Sequence, residues 1–143
     1  MKLYLLTLMV LAILFAASPP VRAETPVTVR LVIGQEEVLI DLLDNPAAKA
    51  FAAQLPLTLP FRDYAGEEKI ATLPTPLSAN GSPSAREVPV DFTYFTPWGN
   101  LAVFYKGVGD NRQLLALGRI RNSKAVLAEQ HGDFVARLEL VVR

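Results

Sequence analysis

Residues Phe92 to Tyr105 read FTYFTPWGNLAVFY, two runs of aromatic and aliphatic residues set around Pro97-Trp98-Gly99-Asn100. Proline fixes one backbone angle and glycine accepts angles that other residues avoid, so the middle of this stretch must turn. The runs on either side, Asp91 to Thr96 and Leu101 to Lys106, favour strands because aromatic and β-branched side chains pack well on a pleated surface. Such a pattern constrains the fold far more tightly than it constrains any chemistry.

The rest of the chain supplies partners for these strands. Thr25 to Leu43 alternates valine, leucine and isoleucine with polar residues on both sides of Gly34-Gln35, which predicts a hairpin. Asp44-Asn45-Pro46 offers a capping side chain and a proline suited to a first helical turn, and an alanine-rich helix from Pro46 to Gln54 follows. Ala47, Ala50, Phe51 and Leu55 share its apolar face, with Phe51 as a plug over one end of a sheet. Leu57 to Phe61 is expected as a short strand that Pro60 confines to an edge or a bulge. Lys69 to Leu73, Leu114 to Arg121 and Phe134 to Val142 read as further strands, and Ser123 to Gln130 as a short helix capped by Ser123. The region from Pro74 to Pro89 is a long loop, of a length more often functional than idle. Seven or eight short strands and two short helices make a mainly β domain, a closed or nearly closed barrel. Closure removes the exposed strand edges that invite aggregation.

The N-terminus has the form of a secretory signal. Lys2 is followed by an apolar stretch from Leu3 to Ala17, and Val21-Arg22-Ala23 offers small residues for cleavage after Ala23. The stretch, at about 15 residues, is shorter than the roughly 20 that span a bilayer as a helix. The expectation is therefore a signal over residues 1–23, a single domain over 24–143, and a periplasmic or secreted product without stable membrane insertion once cut. With no cysteine in the chain, lipid attachment at cysteine, disulfides and thiolate chemistry are excluded, and the core alone must hold the fold. The formal charge is zero and becomes slightly negative without Lys2 and Arg22, which argues against nucleic acid as a partner.

Asp63-Tyr64-Ala65-Gly66, Glu68-Lys69-Ile70, Leu73-Pro74 and Pro97-Trp98-Gly99-Asn100-Leu101, in this order after a hairpin and a helix carrying Phe51, resemble the bacterial cyclophilin-like proteins. The resemblance runs over about residues 27–142 and implies a cyclophilin-like closed β-barrel, without implying a general activity. Prolyl isomerases of this fold hold the twisted imide with an arginine, and Arg62 lies where that arginine is expected. Their glutamine and phenylalanine correspond to Leu101 and Val103 here, and Leu114 stands where a histidine is expected. By resemblance, the isomerase site is largely missing.

Five residues are the candidates for ligand binding. Trp98 combines a large apolar face with one N–H, and Tyr64 and Tyr94 flank loops with a ring and a hydroxyl each. Arg62 and Glu68, beside the Tyr64 turn, can orient a charged or peptide-like ligand. Lys69 adjoins them, but strand alternation sends Glu68 and Lys69 to opposite faces. Each has a plainer role to weigh: packing for the rings, surface ion pairs for the charges. His131, the single histidine, has no second histidine or cysteine for a metal site, and Gly-x-Ser-x-Gly and phosphate-loop patterns are absent. The expected function is a binding module for a small molecule or an extended peptide, with no cofactor, no metal and no catalytic residue. The alternatives are a divergent peptidyl-prolyl isomerase using Arg62 and an accessory protein whose rings are packed shut. Oligomeric state is left open.

Overall fold

A computed structural model describes residues 16–142. Nearly all of the apolar stretch of the expected signal lies outside the described residues, and residues 16–27 are exposed and without regular structure. No described helix is long and apolar enough to cross a membrane. From Thr28 the chain forms eight strands and two short helices. They are β1 (Thr28–Ile33), β2 (Glu36–Leu42), α1 (Pro46–Ala52), β3 (Leu57–Tyr64), β4 (Glu68–Thr72), β5 (Phe92–Phe95), β6 (Asn100–Phe104), β7 (Leu114–Ile120), α2 (Lys124–Ala128) and β8 (Phe134–Leu140). The strands close a barrel in the order β1-β2-β7-β5-β6-β4-β3-β8, and every pairing is antiparallel.

Alternation along each strand decides what fills the barrel. Val29 and Leu31 of β1, Val38 and Ile40 of β2, Leu101 and Val103 of β6 and Leu138 of β8 are all fully buried and belong to one continuous core. α1 joins the end of β2 to the start of β3, whereas α2 joins the end of β7 to the start of β8. Because β2 and β7 are antiparallel neighbours, the two helices close opposite mouths. Asn45 fixes α1 at both ends of its amide. Oδ1 accepts from the Ala48 N–H and Nδ2 donates to the Ala116 carbonyl, each at 2.9 Å. Phe51 then plugs the barrel, its ring edge-on to Phe92 at 5.3 Å.

Several sequence expectations are corrected. β3 is longer than predicted and is no edge, since it pairs with β8 through Pro60↔Val135 and with β4 from Arg62↔Ile70 onward. Pro60 is tolerated because the β4 ladder begins beyond it, leaving no donor demanded on that side. α2 is shorter than predicted and Ser123 does not cap it, for its backbone is left-handed (φ 59°) and its hydroxyl makes no capping bond. The long loop after β4 is stitched to the barrel. The Leu77 N–H donates to the Tyr94 hydroxyl at 3.1 Å, and Ser84 bridges Leu115 of β7. Ala85 from this loop joins Ile70, Ala102, Phe104 and Leu114 in a second apolar cluster, which includes the outward Ile70, Ala102 and Phe104.

Candidate functional site

The outer face of β3, β4 and β6 carries the side chains that alternate away from the core: Arg62, Tyr64, Glu68, Ile70, Thr72, Asn100 and Ala102. The β5–β6 turn folds Trp98 over this face. Gly99 makes that possible with φ of 69°, a left-handed angle strained for other residues, while its N–H donates to the Phe95 carbonyl at 3.0 Å and its carbonyl accepts from the Leu73 N–H at 3.1 Å. The indole meets Tyr64 at 5.5 Å and Phe95 at 5.3 Å, both edge-to-face, the arrangement that ring quadrupoles favour. Trp98 nevertheless remains 54 % exposed.

Beside it lies a groove of about 420 Å³ whose walls include Arg62, Ile70, Thr72, Trp98, Asn100 and Asp133. The side chains of Arg62 and Asp133 are exposed and make no ion pair or hydrogen bond with a described residue, so a cation and an anion face the groove. The other predicted residues fall elsewhere. Tyr64 supports Trp98 from the side rather than lining the groove. Glu68 is half-buried next to Tyr64 in register, and burial, followed by the Glu67 and Asp63 carboxylates, raises its pKa above the usual glutamate value. Tyr94 is 1 % exposed and points into the barrel, where its hydroxyl holds the long loop. It is a packing residue that no ligand in the groove can touch. Leu101 and Val103 also point inward, so the outward positions of β6 are Asn100, Ala102 and Phe104.

Asp133 and Thr72 were not singled out by the sequence. Asp133 reaches the groove because β8 pairs with β3 through Phe61↔Phe134, a contact between segments more than seventy positions apart. The signal available for it was the polar turn Gln130-His131-Gly132-Asp133, which carries no hint of its neighbour.

A second polar cluster closes the α2 mouth. Lys69, expected near the surface, is 1 % exposed. Its ammonium donates to Asp63 Oδ1 at 2.9 Å and to the Gln130 carbonyl at 2.6 Å, and lies 5.0 Å from the centroid of the Tyr105 ring. The Tyr105 hydroxyl donates to the same Asp63 oxygen at 2.6 Å. That bond first, then Lys69, holds the Asp63 carboxyl below the usual aspartate value, and the same bond pushes Tyr105 up to about 12. His131 borders this cluster, away from the groove. With its ammonium bonded on two sides and backed by an aromatic face, Lys69 is fitted to hold the barrel mouth together.

Sequence comparison finds that the model of the Cyclophilin-like family matches residues 31–139. The chain belongs to the cyclophilin-like family. No curated protein matches it. The solution structure of a hypothetical protein from Archaeoglobus fulgidus is similar to this cyclophilin-like chain with a TM-score of 0.64 at 18 % identity, covering 81 % of this chain and 95 % of that one. At that identity the likeness concerns the fold alone.

Proposed function

We propose that this cyclophilin-like protein is an exported binding module that takes a small molecule or an extended peptide in the groove between Arg62 and Trp98. The observation that supports this reading is a groove with an apolar wall, a half-exposed indole and an exposed guanidinium, since binding sites combine apolar surface with a few convergent polar groups. Arg62 supplies donors for a carbonyl or carboxylate, and Trp98 the area for a hydrophobic group.

Trp98 is the single tryptophan, so its fluorescence reports from one place. Titrating peptides and small molecules against the full chain is expected to yield ligands that change this signal. Arg62→Ala weakens them, and Trp98→Ala weakens them by calorimetry. Ligands that bind Trp98→Ala as tightly as the wild type would place the site elsewhere.

The outward direction of Arg62 also favours a second reading, a divergent prolyl isomerase. In a protease-coupled isomerisation assay, acceleration that vanishes in Arg62→Ala would establish it. A folded protein without acceleration would retire that activity toward the tested peptide.

A further inference from the structure

Asn100 is 4 % exposed, yet its Oδ1 has no hydrogen-bond partner. Its Nδ2 donates to the Leu101 carbonyl at 2.9 Å. Because a carbonyl only accepts, that bond fixes which end of the amide is nitrogen and leaves the oxygen as an acceptor without a donor. Leaving such a group buried is unfavourable, and proteins satisfy nearly all of them. Rule-breaking of this kind concentrates where function requires it. Among the described residues the other buried side-chain oxygen in this state, Gln54 Oε1, belongs to the loop after α1. Asn100 alone of the two is a wall of the groove.

We propose that the groove binds an extended peptide through its backbone, with one N–H donating to Asn100 Oδ1 and a carbonyl accepting from Arg62. This rests on the groove being the binding site. An acceptor and a donor, neither bonded to a described residue, stand on the same face with β4 between their strands; Arg62 is level with Ile70 and Ala102, and Asn100 lies two residues further along β6, so two strand spacings across and two residues along set their backbones about 12 Å apart. One extended chain, which presents N–H and C=O on alternating sides, bridges that gap. A carboxylate satisfies Arg62 and leaves Asn100 without a donor. A prolyl nitrogen carries no hydrogen, so the residue whose nitrogen meets Asn100 is not proline. Ile70 and the Trp98 ring provide the apolar surface for its side chain.

The Asn100 oxygen is sealed from solvent, so the peptide reaches it only when a cover moves. Trp98 is suited to be that cover: it lies two residues away, lines the same groove, makes no side-chain hydrogen bond with a described residue, and meets Tyr64 and Phe95 edge-to-face.

The test titrates the full chain and Asn100→Leu with acetyl-Ala-Phe-Ala-amide and with the same peptide methylated on every backbone nitrogen, read by Trp98 fluorescence. The wild type is expected to bind the methylated peptide about tenfold more weakly, the worth of one hydrogen bond. Asn100→Leu loses about the same factor toward the unmethylated peptide and no longer discriminates. Equal binding of both peptides by the wild type, or undiminished binding by Asn100→Leu, overturns the amide contact while leaving the groove as a site. If neither peptide alters the fluorescence of the folded wild type, the peptide proposal fails, and only the small-molecule form of the groove reading remains. Should Asn100→Leu not fold, the methylated peptide on the unaltered chain decides by itself.

Discussion

Lys69 and Glu68 show how one step along a strand separates two fates. Both sit in Glu68-Lys69-Ile70, and alternation sends the lysine into the barrel and the glutamate outward. A buried ammonium is tolerable only with partners around it, which Asp63, the Gln130 carbonyl and the Tyr105 ring provide. The Asp63–Tyr105 bond makes a pH-dependent contribution whose sign follows from the direction of each shift. Tyr105 titrates at about 12 in the folded chain against about 10 when unfolded. Its contribution is therefore complete below about pH 10 and is lost as the pH rises to about 12. Asp63 is shifted downward, so its contribution holds above about pH 4 and fades as acid protonates it. Denaturation at a series of alkaline pH values is expected to show the wild type losing stability between pH 10 and 12 more steeply than Tyr105→Phe. Parallel curves would mean the tyrosine hydroxyl contributes nothing. Neither the burial of Lys69 nor this pairing was legible in the sequence, because Asp63, Lys69 and Tyr105 meet only when β3, β4 and β6 are side by side.

The strands themselves were legible as elements, since their periodicity is local. The hairpin of β1 and β2, the helix after Asn45 and the turn at Trp98 all lie where the sequence predicts them, and the misplacements have local causes. Pro60 suggested an edge because sequence shows a missing donor and not where the neighbouring ladder starts. Ser123 suggested a cap because residue type was visible and its left-handed backbone was not. Gly118 marks a contact between elements that composition cannot announce. A Cβ built there stands 2.5 Å from the Asp41 carbonyl oxygen, so β2 and β7 approach more closely than alanine permits. Gly118→Ala is expected to lower stability by about 1–3 kcal/mol, the usual cost of overpacking, measured as a lower denaturant midpoint. An unchanged midpoint would show that the β2–β7 seam yields without cost.

At the scale of the whole molecule, closure is the decisive property. Each strand has two hydrogen-bonded neighbours, which leaves no long edge to protect in a chain that has no cysteine for disulfides. Export is the proposal that matters most here. Produced in a bacterium with an intact secretion system, the protein is expected in the periplasm or medium with Glu24 as its first residue by N-terminal sequencing. Recovery with Met1 retained would replace the cleaved signal with an anchor or an internal protein. The sequence by itself determined the strands, the plugging helix and the barrel class, because alternation, capping and turn chemistry act over a few neighbouring residues. It also named Arg62 and Trp98, the two candidates that the groove brings together. Only the tertiary structure decided that Tyr94 faces inward, that Asp133 stands beside Arg62 and that the Asn100 oxygen is left without a donor. Those outcomes depend on register between distant strands, and a shift of one residue in a ladder exchanges the buried and the open face.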